Sequence, residues 1–233
     1  MDDNEDRSMP QLSAMYWVLL TTATTIAIGS CLWLAKGRSK SVAKRARKRV
    51  LIVMSSSEFE VPCVALAYKT FTSAGLDVTL CSSTGGPSHP DAASMKKPVS
   101  EAAANRRDPA WLHVLQTSSA EISRMAQHRP SSFVAIFIAG GPRALRDLRQ
   151  TDLKGHQPTP FCLSVRDFGK QVLGQGGVVG ATGHGLHGLP QLSEDEKVSY
   201  ADKIFSGVYD SSTNDVTAAM THALLPVHDE DVG

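Results

Sequence analysis

The chain has 233 residues, of which 42% are hydrophobic and 20% are charged. This length is enough for one substantial hydrophobic core but not for two full domains. The balance of 24 basic against 23 acidic residues gives no global reason to expect a nucleic-acid partner. The four cysteines stand far apart, without the CxxC spacing of a zinc site or the density of a disulfide framework, so we expect a reducing compartment, no metal and no other cofactor.

An apolar stretch near the N-terminus has the length of a membrane-spanning helix. No charged residue occurs between Leu12 and Ala35, and about 20 apolar residues suffice to cross a bilayer. Trp17 and Trp33 lie near its two ends, where aromatic side chains favour the headgroup level. The sequence therefore predicts a single-pass transmembrane anchor at residues 12–35, behind an acidic tail at residues 1–11.

The charges on either side of this stretch indicate its orientation. Acidic residues precede it and a run of basic residues follows it, whereas a cleaved signal peptide carries its positive charge before the apolar run. By the positive-inside rule, the C-terminal domain is expected to face the cytosol. The membrane that holds the anchor is expected to be that of the endoplasmic reticulum or the mitochondrial outer membrane. The basic linker at residues 36–48 is interpreted as the topology signal; the alternatives are contact with anionic lipid headgroups and a nuclear or nucleic-acid patch.

Strands and helices alternate along the rest of the chain. The predicted strands are Arg49–Met54, about Leu76–Cys81, SFVAIFIAGG and GGVVGATGHG. The predicted helices run through VPCVALAYKTFTSAG and at about Trp111–Gln127, Arg143–Gln150 and Thr159–Leu173. This alternation predicts an α/β domain with a doubly wound parallel sheet at residues 49–226, followed by a frayed acidic tail at residues 227–233.

Three predicted strand ends are expected to converge, because ligands of open α/β sheets bind outside the carboxyl ends of the strands. These ends are Ser55–Glu60, Ala139–Pro142 and Ala181–Gly185. Gly140 and Gly141 would let backbone N–H groups approach an anion closely. The alternative for the paired glycines is a tight strand-to-helix turn without a ligand.

Three segments together resemble the ThiJ/PfpI superfamily: RVLIVMSSSEFEVPCVALAYKTFTSAGLDVTLCSSTGGPSHPDAAS, FVAIFIAGGPRALRDL and GGVVGATGHGLHGL. The resemblance covers most of the domain and implies a flavodoxin-like, class I glutamine amidotransferase-like fold. The long segment that opens with GGPSHPDAAS is more similar to the branch of heat-shock chaperones with glyoxalase III activity than to the compact protease-like branch. Because relatives are often dimers, the resemblance also implies a homodimer.

The resemblance implies a cysteine nucleophile in a strained strand-to-helix turn, within a pattern like AVCHGP. This sequence has ATGHGL at residues 181–186, so Gly183 stands in the place of the nucleophile. Glycine forms no covalent adduct, yet it accepts the positive φ that such an elbow demands. In the glycine-rich turn, the family's GGHG becomes Gly140-Gly141-Pro142-Arg143, and proline has no N–H to donate.

The other family residues are also altered. Counting back from the AGLDV turn, the family's glutamate on the first helix falls near Cys63, and Glu60 lies one helical turn earlier as a partial substitute. His184 follows the elbow where glyoxalase III relatives carry a proton-transfer histidine; a helix N-terminal histidine satisfied by backbone groups is the alternative. His187 is interpreted as an ordinary surface or packing residue. Cys63 is either a displaced nucleophile beside His184 or a small buried hydrophobe.

The degenerate site therefore comprises Gly183, His184, Glu60 and Cys63, and the candidate ligand or anion contacts are Gly140, Gly141, Gly183 and Gly185. The first hypothesis is a membrane-anchored protein of this superfamily that has lost its catalysis and acts as a binding or chaperone-like module. The alternative is a glyoxalase III-like or deglycase-like enzyme that acts on small reactive carbonyls such as methylglyoxal. An amidotransferase-like or protease-like hydrolase is the weakest hypothesis, because its nucleophile is missing.

Overall fold

The computed structural model describes residues 47–95, 108–120, 122–148, 157–209 and 212–225. The chain separates between Ala46 and Arg47, and all described residues belong to the second part. The predicted anchor at residues 12–35, both acidic tails and most of the basic linker lie outside the described residues. Within the described ranges, no helix combines the length and the apolar character needed to span a bilayer.

A parallel sheet forms the centre of the domain. The strands are β1 (Arg49–Val53), β2 (Glu58–Phe59), β3 (Asp77–Ser82), β4 (His89–Pro90), β5 (Ser123–Arg124), β6 (Ala135–Ile138), β7 (Val178–Thr182) and β8 (Ile204–Gly207). Six of them form one sheet in the order β5-β3-β1-β6-β7-β8, with every pairing parallel, and β2 pairs with β4 separately. Without the edge strand β5, this is the strand order of flavodoxin-like folds.

Helices cover both faces of this sheet. They are α1 (Val61–Ser73), α2 (Pro109–Ala120), α3 (Ala144–Asp147), α4 (Pro160–Gly174), α5 (Glu194–Ser199) and α6 (Thr213–Leu224), and short 3₁₀ helices occur at Met125–Gln127, Pro130–Ser132 and Gly183–Gly188. Alternate residues of β1 enter two separate cores. Val50 and Ile52 pack with α1, α2 and α6, whereas Leu51 and Val53 pack with α4. Burial on both faces explains why this strand is a continuous apolar run.

The predicted doubly wound α/β architecture is confirmed, and most of the predicted strands and helices lie where the apolar patterns indicated. Gly75 follows α1 with a φ of +78°, as expected of a residue that ends a helix. The helix predicted at Trp111–Gln127 is wrong in its second half. The observed helix ends at Ala120. Ser123 and Arg124 form β5, because Ser123 pairs with Cys81 of β3 at the edge of the sheet.

Candidate functional site

The strand-to-helix elbow after β7 has a left-handed backbone at its glycine. Gly183 follows Thr182, the last residue of β7, with a φ of +50°, a conformation that residues with a side chain rarely adopt. Gly183 opens the 3₁₀ helix Gly183–Gly188, and Gly185 presses that helix against β6. A Cβ placed on Gly185 would lie 2.3 Å from the carbonyl oxygen of Ile138. The close approach of this 3₁₀ helix to β6 therefore requires a glycine at position 185.

Glu60 lies beside the second glycine of the Gly140-Gly141 turn. It is the N-cap residue of α1, and its side chain is 4% exposed. Gly141 has a φ of +113°, and a Cβ there would lie 3.2 Å from the Cβ of Glu60 and 3.9 Å from its Oε2. A buried carboxyl group thus adjoins the backbone of the turn that follows β6, so two of the three predicted strand ends meet here.

Cys63 lies one helical turn further along α1 and contacts the third strand end. Its sulfur is 3.3 Å from the hydroxyl oxygens of both Thr182 and Thr213, and the Thr213 hydroxyl donates to it. Cys63 is 2% exposed, and both threonines are fully buried. The thiol is therefore enclosed between the residue before the elbow and the first residue of α6.

The two threonines were missed as site residues. Thr182 is a hydroxyl residue at the end of an otherwise apolar strand, directly before the elbow. That position in the sequence could have indicated a site residue. Thr213 gave none, because it begins a helix that the sequence analysis did not predict. A buried threonine pair around a sulfur is a pattern of tertiary packing, which sequence spacing does not contain.

His184 faces outward, in contrast to the enclosed thiol. It is exposed, and its ring stacks on that of His187 with centroids 6.1 Å apart and planes 8° apart. Burial lowers the pKa of His187, and the neighbouring charges of His184 and Arg166 lower it further. The backbone carbonyl of His187 accepts from Arg166 Nε at 3.1 Å. The histidine pair is thus anchored to α4, whereas Cys63 is packed between α1, β7 and α6.

Further hydrogen bonds connect α3 and the residue before it to the segment that follows β1. The backbone N–H and the hydroxyl of Ser56 donate to Asp147 Oδ2 at 2.7 and 3.1 Å. Arg143, next to the proline of the glycine-rich turn, donates to Glu58 at 2.9 Å across an exposed edge. In the part of the chain that the structure describes, no group of three or more His, Cys, Asp or Glu side chains is arranged to hold a metal ion.

Solved structures share this architecture. The Francisella tularensis Rapid Encystment Protein 24 kDa (REP24) aligns over 76% of this chain and 99% of its own, with a TM-score of 0.54 and 15% identity. The structure named APC35852 aligns over 76% of this chain and 98% of its own, with a TM-score of 0.57 and 17% identity. The chain has the fold of the ThiJ/PfpI superfamily. Drosophila melanogaster DJ-1beta also matches, at a TM-score of 0.43 and 12% identity over 76% of this chain and 90% of its own.

In comparisons of sequence, no family model and no curated protein matches the chain. The structural likeness establishes the fold alone. The residues of this domain that bear on its chemistry are an elbow without a side chain at Gly183, an enclosed thiol at Cys63 and a buried carboxyl at Glu60.

Proposed function

We propose that this protein is a membrane-anchored binding or chaperone-like module whose ThiJ/PfpI domain has lost its catalysis. The observation that supports the loss is Gly183 at the elbow, with its φ of +50°. The left-handed turn at this position carries no side chain that could attack a carbonyl group. A fold that keeps the scaffold of a site but not its nucleophile is available for binding.

The position of Cys63 supports the same proposal. An attacking thiol must be deprotonated and reach its substrate. Cys63 is 2% exposed and accepts a hydrogen bond from Thr213 on a sulfur that also contacts Thr182. His184, the candidate proton-transfer group, is exposed and stacked on His187 instead. These residues favour a structural thiol over a displaced nucleophile.

The second candidate function is a glyoxalase III-like or deglycase-like enzyme. It is favoured by one observation: the sulfur of Cys63 lies only 3.3 Å from the hydroxyl of Thr182, the residue directly before the elbow. A local opening of α1 relative to β7 would expose a thiol next to the place where the family carries its nucleophile.

Methylglyoxal turnover separates these two functions. We expect the purified full-length chain to consume methylglyoxal no faster than a heat-denatured sample, and Cys63→Ala and His184→Ala to behave in the same way. The same preparation should slow the aggregation of a heat-denatured client enzyme, with or without Cys63. Turnover that either substitution abolishes would mean that catalysis survives, and the proposed loss of activity would have to be withdrawn.

The proposal also places the protein in a membrane. Residues 12–35 would form the anchor, the basic linker at residues 36–48 would keep the domain in the cytosol and contact anionic lipids, and the domain would dimerise in the membrane plane. Protease added to intact, sealed organelles should therefore remove the C-terminal domain almost completely. A domain that stays protected until detergent is added would contradict this orientation.

A further inference from the structure

A groove on the α4 face of the sheet lies apart from the elbow. It has a volume of about 450 Å³ and lies between α4 and the 3₁₀ helices that follow β5. Met125, Phe161 and Phe168 supply apolar walls, and none of the elbow residues, Cys63 or Glu60 lines it. Small-molecule sites have volumes of roughly 300–1,000 Å³, mostly apolar walls and a few placed polar groups. The groove has such a volume and such walls. The polar group that would orient a ligand is one of its lining side chains.

His128 is that polar side chain, and its tautomer follows from its neighbours. The Ser123 hydroxyl lies 2.8 Å from the carbonyl oxygen of Leu80 and 2.6 Å from His128 Nε2. The hydroxyl has a single proton, and a carbonyl oxygen can only accept. Both short distances are hydrogen bonds only if Ser123 donates to Leu80 and His128 Nε2–H donates to Ser123. The neutral ring then has Nδ1 as a lone acceptor.

The surroundings keep the ring neutral and in place. Burial lowers the pKa of His128, and the charge of Arg49 lowers it further. Arg49 lies over the ring of Phe133, with its guanidinium carbon 4.7 Å from the centroid, and Phe133 meets the His128 ring edge-on at 5.5 Å. At neutral pH the imidazole therefore presents an acceptor and not a second donor.

The charges around the groove act against a charged ligand. Asp167 is exposed on α4 and lines the groove, so it repels an anion. Arg49 lies over Phe133, which contacts the His128 ring, so its positive charge repels a cation that approaches the imidazole. No Lys or Arg is among the described residues that line the groove. An uncharged molecule avoids both repulsions.

We infer that this groove binds a small, uncharged aromatic molecule that donates an O–H or N–H hydrogen bond to His128 Nδ1 while its ring packs on Met125, Phe161 and Phe168. The site is independent of the proposed function, because it uses none of the elbow residues. It requires neither an active nor an inactive ThiJ/PfpI centre.

Phenol and anisole test the inference as matched probes, since anisole keeps the ring and lacks the donor. We expect phenol to shift the His128 side-chain nitrogens and the amide resonances of Phe161 and Gln171 saturably in ¹⁵N-labelled full-length protein. Loss of one hydrogen bond should make anisole about three- to tenfold weaker. In His128→Phe, phenol should bind no better than anisole, as followed by the two amide resonances.

A second pair of variants keeps the test independent of the folding of His128→Phe. Ser164 is exposed on α4 and lines the groove, so Ser164→Trp should fill it and abolish binding of both probes. Leu163 is the neighbouring exposed residue and does not line the groove, so Leu163→Trp should bind both probes as the unmodified chain does. Equal affinities for phenol and anisole, the absence of a saturable shift, or binding that persists in Ser164→Trp would each overturn the inference.

Discussion

Gly185→Ala is expected to lower the free energy of unfolding by about 3 kcal/mol, the upper part of the usual cost of overpacking a core. A Cβ at this position would lie 2.3 Å from the carbonyl oxygen of Ile138 and 3.0 Å from its carbonyl carbon. These atoms belong to the backbone of β6, a central strand whose residues are fully buried, so they cannot rotate away as a side chain can. Urea unfolding of the full chain, followed by circular dichroism, measures the change.

Gly174→Ala is the matched control. Gly174 is the last residue of α4, and a Cβ there would meet no atom within 4 Å. Alanine has the higher helix propensity, so this variant should unfold within about 1 kcal/mol of the unmodified chain, on the stabilising side. If Gly185→Ala also stayed in that range, the elbow helix would not be seated on β6 as the structure places it.

The fold was largely predictable because its central strands are buried on both faces. Val50 to Val53 and Ala135 to Ile138 are continuous apolar runs that are soon followed by serines or glycines, and such short, bounded runs are typical of buried parallel strands. The two-residue strand β5 consists of Ser123 and Arg124 and carries no apolar signal. Its strand character comes from pairing with Cys81 and Ser82 on the neighbouring strand, so tertiary contact overrides the local pattern.

The candidate site was predictable at the level of strand ends but not of contacts. Glu60 and the Gly140-Gly141 turn converge because both follow the carboxyl ends of parallel strands, and the alternation of strands and helices already implied parallel strands. Counting residues back from the AGLDV turn placed the family's glutamate near Cys63. Such a count assigns a residue to a turn of α1, but it does not predict which side chains that residue contacts. The structure places Glu60 beside Gly141 and Cys63 against Thr182 and Thr213, because α6 packs on α1 and β7.

Native-state alkylation of the thiols should separate a binding module from an enzyme with a displaced nucleophile. In the folded full-length chain, we expect iodoacetamide to modify Cys63, Cys81 and Cys162 roughly a thousandfold or more slowly than in the urea-unfolded chain. These side chains are at most 2% exposed, so attack requires an opening of the fold, which costs about 5 kcal/mol or more. Burial also raises the pKa of the Cys81 and Cys162 thiols, which lowers their thiolate fraction. Peptide mass spectrometry measures each rate separately.

Gly183→Cys provides the internal comparison for that experiment. Position 183 directly follows β7 and is partly exposed, so the added thiol should react far faster than Cys63 in the same sample. The φ of +50° imposes a cost of roughly 1–2 kcal/mol on a residue with a Cβ, which the fold is expected to tolerate. If Cys63 instead reacted as fast as the added thiol, its enclosure by Thr182 and Thr213 would be open in solution. The sulfur would then be accessible next to the elbow, and a reactive-carbonyl enzyme would become the better description of this domain.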